Sequence, residues 1–348
     1  MQLLSSGIRN LRSFSSGANF HSSLRIHLPR RRFSSSPTCI EKETLSGYKS
    51  SKYYPNRHST TWLCSDVANA FKTLKILTAN DHVSREAQVF GHLRRVSMGS
   101  QNPGKYCVRR AEDILVIPGT NGNKHQCLVF EPLGPNLLEF ASQRKKRSGN
   151  LFRIDEVRWM TIYFLHALDF LHENGVVHTD LKLDNIQLTL PDNEKEILDA
   201  FVSAAEAENP STIRTNADGA QVYTSHEMVQ DELTFPILCD LGSAKLGKPP
   251  HEGLVQALPY RAPEVMLGAS WDSKIDIWSL GVLIWELYFD SNGHWRHGKI
   301  ERMELEDRVE MTMDMPLFFD FLRSMLRWDP RERLSASELL KHPWLQLY

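Results

Sequence analysis

Short strand-like runs of apolar residues fill the first folded third of the chain, and apolar positions at helical spacing dominate the remainder. Residues 62–66 and 70–77 read as two strands, and residues 83–96 place Val89, Phe90 and Leu93 on one helical face. Residues 107–110, 114–117 and 126–130 supply further strands. The character changes after Pro132-Leu133-Gly134-Pro135. Residues 157–174 repeat Ile162, Leu165, Leu168 and Leu171, and residues 274–288, 316–326 and 336–341 have similar patterns. The pattern predicts an α+β protein in which a small strand-rich lobe precedes a larger helical lobe, with the join at residues 131–133.

Residues 190–236 fit neither lobe and read as an insertion between two strands of one hairpin-like unit. Within it Asp192 is placed to cap a helix running to about residue 208, with Glu194 and Glu196 at its positive end and Ile197, Leu198, Phe201 and Val202 available to pack. Asn209-Pro210 stops it.

Charge changes the picture at the amino terminus. Residues 1–40 hold six arginines and no Asp or Glu, while the whole chain of 348 residues carries a formal −1, leaving −7 for the rest. Leu4, Ile8 and Leu11 share a helical face that excludes Arg9 and Arg12. The segment resembles a mitochondrial transit peptide, and a disordered basic tail of a protein of the cytoplasm and nucleus is the alternative. Residues 41–54 read as a linker. A mildly acidic body argues against direct nucleic-acid binding and suits a basic peptide. No apolar run approaches the roughly 20 residues of a membrane helix. Five scattered cysteines without C-x-x-C spacing suggest neither a disulfide framework nor a zinc site and read as free thiols.

The sharpest chemistry lies in His178-Thr179-Asp180-Leu181-Lys182-Leu183-Asp184-Asn185, directly after a helix and the pair Val176-Val177. An acid, a cation and an amide that must converge on one small volume suit a loop better than a helix face. Taken singly these would be ordinary surface polar residues; their ordered spacing reads otherwise. The string resembles the protein-kinase catalytic loop. That resemblance implies that Asp180 accepts or orients the substrate hydroxyl proton, Lys182 neutralises the transferring phosphoryl group and Asn185 holds magnesium. Downstream, Cys239-Asp240-Leu241-Gly242 comes after a buried strand and is similar to the kinase magnesium loop, with Leu241 in place of Phe and Asp240 as a hard oxygen ligand. Tyr260-Arg261-Ala262-Pro263-Glu264 resembles the end of an activation segment. Asp276-Ile277-Trp278-Ser279-Leu280-Gly281 is similar to the central helix whose Asp ties down the catalytic-loop backbone, and Arg333 stands where the family pairs an arginine with Glu264.

In the small lobe Lys72-Thr73-Leu74-Lys75 takes the place of the family's V-A-I-K strand. The resemblance gives Lys75 the nucleotide's α- and β-phosphates and Glu86 the role of its fixing partner. Phe130-Glu131-Pro132-Leu133 resembles the hinge, with backbone groups of Glu131 and Leu133 bonding adenine. The domain reading is therefore a shortened N-lobe over residues 55–131 and a C-lobe over 132–348.

His-Thr-Asp, Asp-Leu-Gly and the insertion between them are together similar to the SR-protein kinases, in particular fungal-looking relatives that keep Ala-Pro-Glu. The resemblance covers residues 59–345. It implies an ATP- and Mg²⁺-dependent serine/threonine kinase, a monomer that acts on Arg/Ser-rich protein substrates without an activating phosphorylation. Thr179 replaces the arginine that ordinarily binds an activation-segment phosphate, and residues 243–259 offer one hydroxyl, Ser243. Departures are equally plain. The phosphate-covering loop aligns with Tyr54-Pro55-Asn56-Arg57-His58-Ser59-Thr60-Thr61, which has no glycine to let backbone N–H groups approach phosphate. The strand expected before it is missing from the pattern, leaving a sheet edge exposed. Thr73 replaces a small alanine, Ala257 a threonine, and residues 292–310 are shorter than the region that completes the substrate-docking groove of SR-protein kinases. The alternative function is a pseudokinase, a scaffold or binding module with weak or no nucleotide binding.

Overall fold

A computed structural model of the chain describes residues 49–50, 59–65, 70–77, 84–118, 124–148, 152–207, 214–215, 221–222, 228–289 and 315–346. The readings made on residues 1–40, on residues 54–58 of the phosphate-covering loop and on residues 292–310 lie outside them. The described residues divide into two compact units.

The first unit joins the described residues up to Arg94 with Arg110–Gly134 and Thr189–Met228. Its sheet has five strands in the order β1-β2-β3-β5-β4, all antiparallel: β1 Lys49–Ser50, β2 Ser59–Ser65, β3 Phe71–Leu77, β4 Asp113–Pro118 and β5 Lys124–Phe130. The two-fold pleat sends Leu74 and Ile76 to one face, where they pack with Cys64, Cys127 and Val129, and leaves Thr73 and Lys75 on the other. Helix α1, Arg85–Gly99, starts where Ser84 Oγ accepts the Ala87 N–H. It buries Ala87, Val89, Phe90 and Leu93, and the Phe90 ring meets Phe130 edge-on at 5.2 Å. One expectation is corrected here. A strand does precede residue 54, because Lys49 and Ser50 pair with Trp62 and Thr61. Two residues of low β-propensity leave no alternation for a pattern to detect, and the ladder needs only their backbone.

The inserted segment contributes α4, Glu194–Ala207, whose Leu198 is buried, and a short antiparallel pair, β8 Arg214–Thr215 with β9 Gln221–Val222.

The second unit joins Arg95–Arg109, Pro135–Leu188 and the described residues from Val229 onward. Residues 107–110, read as a strand, make only one parallel bridge, Val108 to Leu238, with hydrogen bonds from Arg109 N to Leu238 O and Leu238 N to Cys107 O. The short turn at Pro103–Tyr106 precedes them, so the ladder has no room to lengthen. Helix α2, Leu137–Ser148, is absent from the sequence reading. Its signal was a capping box: Asn136 Oδ1 accepts the Glu139 N–H, and Glu139 reaches back to the Asn136 N–H.

Helix α3, Ile154–Glu173, is the unit's spine, burying eleven side chains from Val157 to Leu171. Gly175, at φ +68°, ends it in the left-handed conformation that glycine adopts without penalty. Short strands β6 Val176–Val177, β7 Ile186–Leu188, β10 Pro236–Leu238 and β11 Lys245–Leu246 come next, then α5 Pro263–Met266, α6 Lys274–Phe289, α7 Met315–Met325 and α8 Ala336–Leu339. Helix α6 is apolar nearly all round, which marks a buried helix: Ile275, Ile277, Leu280, Leu283 and Ile284 are fully enclosed. No helix among the described residues is long and apolar enough to cross a membrane.

Candidate active site

Two strand pairings in the second unit set the site. β6 pairs antiparallel with β11, and β7 with β10. The loop joining β6 to β7 (178–185) and the loop joining β10 to β11 (239–244) are therefore pinned side by side at both ends. Cross-loop hydrogen bonds complete the arrangement: Cys239 N–H to Asn185 O at 2.7 Å and Thr179 Oγ1 to Ser243 O at 2.9 Å. The fully buried His178 contributes twice. Its Nδ1 accepts the Asp180 N–H at 3.2 Å, which leaves Nε2 as the protonated nitrogen donating to Cys239 O at 3.0 Å.

Asp276, at the start of α6 and fully buried, anchors the loop from below. Its Oδ2 accepts the His178 N–H at 2.7 Å and His172 Nε2 at 2.9 Å, and its Oδ1 accepts the Thr179 N–H at 2.9 Å. Burial alone would raise the carboxyl pKa. The His172 hydrogen bond and the Thr179 N–H outweigh it and hold the pKa below the usual value. This tether takes up the cost of placing Thr179 at φ +66°, a conformation that β-branched residues rarely adopt. Asp240 is likewise left-handed, at φ +60°.

The catalytic-loop trio predicted from sequence converges. Lys182 Nζ lies 2.7 Å from Asp180 Oδ2, and Asn185 Nδ2 donates to Asp180 O at 2.8 Å and Oδ2 at 3.0 Å. With its amide nitrogen so engaged, Asn185 keeps its Oδ1 as an oxygen donor for a cation. Asp240 sits one residue beyond the Cys239–Asn185 link, its carboxylate exposed and loosely held by the Gly242 N–H at 3.4 Å. One carboxylate and one amide oxygen are what Mg²⁺ takes from a protein when phosphates and water complete its shell, so the donor set fits the ion.

In the first unit, Lys75 Nζ and Glu86 Oε1 form an ion pair at 2.7 Å, with Lys75 on β3 and Glu86 in the first turn of α1. Glu86 is nearly enclosed, so the lysine satisfies an otherwise costly buried charge. Glu131 and Leu133 come after β5, the glutamate at the surface and the leucine half-buried. Loss of hydration and the neighbouring Glu112 raise the Glu131 pKa, while Lys72 and Arg110 oppose them.

The loop from β11 to α5 is held by one guanidinium and one amide: Arg261 donates to Val255 O at 3.0 Å and to Gln256 O at 2.8 Å. Gln256 Nε2 donates to Ile275 O at 2.9 Å and Ser279 Oγ at 2.7 Å, and its Oε1 accepts the Ala262 N–H at 3.0 Å. Sequence reasoning assigned no role to Gln256, His178 or His172. Of these only His178, by its fixed offset from Asp180, carries a local signal. Farther on, Arg333 grips Glu264 with both nitrogens at 2.5 and 2.7 Å, and both side chains are almost wholly buried.

The chain is similar in sequence and fold to known proteins. The model of the protein kinase domain matches residues 107–235 and 233–345. A serine/threonine protein kinase of Aspergillus fumigatus is 34% identical, over 83% of this chain and 81% of its own length. A serine/threonine-protein kinase SRPK of Physarum polycephalum is 32% identical over 66% of this chain and 57% of its own. A human dual specificity protein kinase of the CLK group is 27% identical over 64% and 51%. A solved kinase domain covers 86% of this chain, and 94% of its own, with a TM-score of 0.54 at 22% identity, a likeness of fold alone. The chain belongs to the protein kinase domain family and is a serine/threonine protein kinase with the α+β fold of that family.

Proposed function

We propose that this kinase phosphorylates serine in Arg/Ser-rich protein segments and that Asp180, Lys182, Asn185, Asp240, Lys75 and Glu86 are its working residues. The single observation that carries the assignment of residues is the Asp180 carboxylate, held by Lys182 and Asn185 on a loop whose backbone Asp276 and His178 immobilise. When bound, ATP supplies the phosphoryl group and Mg²⁺ neutralises its developing charge. Asp180 orients the substrate hydroxyl and takes its proton. Lys182 lies against the same carboxylate and is placed to offset negative charge building up beside it. Asn185 Oδ1 and the Asp240 carboxylate hold the metal. Lys75, aligned by Glu86, takes the α- and β-phosphates, and the backbone of Glu131 and Leu133 takes adenine.

Support for the substrate class is the likeness to a protein named SRPK, the His-Thr-Asp and Asp-Leu-Gly strings and the acidic balance outside residues 1–40. We group the chain with fungal-like SR-protein kinases and infer that its glycine-free loop binds nucleotide weakly, giving a high KM for ATP. The substrate reading is tested by comparing kcat/KM on an Arg-Ser repeat peptide and on the same peptide with glutamine for arginine. The Arg-Ser peptide is expected to win by about tenfold or more, the weight of one charge-assisted hydrogen bond. Equal values remove this substrate class and leave the kinase.

Residues 1–40 are proposed to direct the protein to mitochondria, on the strength of their arginines, their lack of acids and the Leu4/Ile8/Leu11 face. A reporter carrying them should co-localise with a mitochondrial dye; diffuse fluorescence rejects the proposal.

A further inference from the structure

The face of the five-stranded sheet that carries Lys75 also carries Thr73, two residues earlier on β3 and about 7 Å away along the strand. Across the ladders Thr73 pairs with Leu63 of β2 and Phe130 of β5, and Lys75 pairs with Thr61 and Leu128. Side chains of directly opposed residues stand on the same side of a sheet. Leu63 and Phe130 are enclosed, with 5% and 2% of their surfaces exposed, and Thr73 between them is half-buried.

That position defines what Thr73 meets when nucleotide is bound. In the reading proposed above, Lys75 takes the α- and β-phosphates and the backbone of Glu131 and Leu133 takes adenine; the present inference rests on that reading. Thr73 is two residues from Lys75 along one strand and directly opposite Phe130, the residue before Glu131. A nucleotide held at both points passes beneath it. Main-chain N–H and C=O groups of a strand point within the sheet, whereas side chains stand perpendicular to it. A base bonded by its edge to the backbone that follows β5 therefore turns a ring face, not an edge, to Thr73.

A hydroxyl is a poor neighbour for a ring face. Among the described residues Thr73 Oγ1 has no hydrogen-bond partner, whereas Thr161 donates to Val157 O at 2.7 Å and Thr179 to Ser243 O at 2.9 Å. Half-buried, the Thr73 hydroxyl is open to water in the free protein. A stacked base removes that water, and the side chains of Leu63 and Phe130 have no polar atom to replace it. The cost arises only on binding.

We propose that Thr73 is a specificity-determining residue of the nucleotide site: its hydroxyl, desolvated by the base, opposes adenine binding and raises the KM for ATP independently of the glycine-free loop. Valine keeps the branched shape and suits a strand without the hydroxyl, and serine keeps the hydroxyl without the methyl. The full chain and its Thr73→Val and Thr73→Ser variants are titrated by calorimetry with adenosine and with Mg²⁺-ADP. Adenosine has no phosphates, so its affinity reports on the base contact without Lys75 or the stretch from Tyr54 to Thr61.

Thr73→Val is expected to bind both ligands about fivefold or more tightly than wild type, the weight of one buried unpaired hydroxyl, and Thr73→Ser to bind them as wild type does. With an Arg-Ser peptide as substrate, the KM for ATP of Thr73→Val should fall by the same factor at unchanged kcat, because the base contact is the same in ground and transition states. Should the valine variant fail to fold, Thr73→Ala against Thr73→Ser gives the same comparison. Equal affinity of wild type and Thr73→Val, weaker binding by Thr73→Val, or equal tightening by Thr73→Ser overturns the proposal and leaves the adenine reading in place. No binding of either ligand by any of these proteins removes the adenine reading and this inference together.

Discussion

Arg333 is among the largest side chains the fold encloses completely, and a buried guanidinium is tolerable only with its donors satisfied. Glu264 takes two of them, and the carbonyls of Arg327 and Lys274 take others at 2.7 and 3.1 Å. The face of Trp278 lies 5.1 Å from the guanidinium carbon. Removing either partner strands the other charge, so Glu264→Ala and Arg333→Ala should each destabilise the protein by about 3–5 kcal/mol. Denaturant titration measures the loss, and a change below about 1 kcal/mol, the level of an exposed pair, would show that the pair is dispensable. The partnership was legible in the sequence through two family motifs. The carbonyl partners were not, since any residue can present a main-chain oxygen.

At the scale of elements, the catalytic loop depends on α6 through one side chain. Asp276 has a folded-state pKa below its unfolded value, so it stabilises the fold above the ordinary carboxylate pKa of about 3.9. That contribution disappears as pH falls through and below that range. Wild type should therefore lose stability steeply below about pH 4, and Asp276→Asn should be less stable at neutral pH with a shallower acid limb. Parallel acid limbs in thermal melts would show that Asp276 is not the group titrating.

Elements with long, strongly periodic apolar faces, α3 and α6 above all, were plain from the sequence. Helix α2 was not, because the charged run Arg144-Lys145-Lys146-Arg147 masks a face carried by Leu137 and Phe140 alone. Strands of two or three residues such as β1, β8 and β9 give no period to read. The order of Asp180, Lys182 and Asn185 was legible for the opposite reason: loop chemistry at fixed spacing does not depend on periodicity. Asp276 as the tether of that loop was legible too; Thr179 at a positive φ, His178 bridging to Cys239 and, in the loop from β11 to α5, Gln256 reaching α6 were not.

For the whole molecule, the central claim is that this chain transfers phosphate through the group on Asp180. Family membership, the Lys75–Glu86 pair and the hydrogen-bonded trio of the catalytic loop all bear on it. The glycine-free stretch from Tyr54 to Thr61 is the feature most at odds with it. The most direct measurement incubates the purified chain with labelled ATP, Mg²⁺ and an Arg-Ser peptide beside an Asp180→Asn variant of matched melting temperature. Wild type should label the peptide, and the variant should fall by about 10²-fold or more, the usual weight of a positioned general base. Equal labelling by the two proteins, or none from wild type at saturating ATP, would contradict the account.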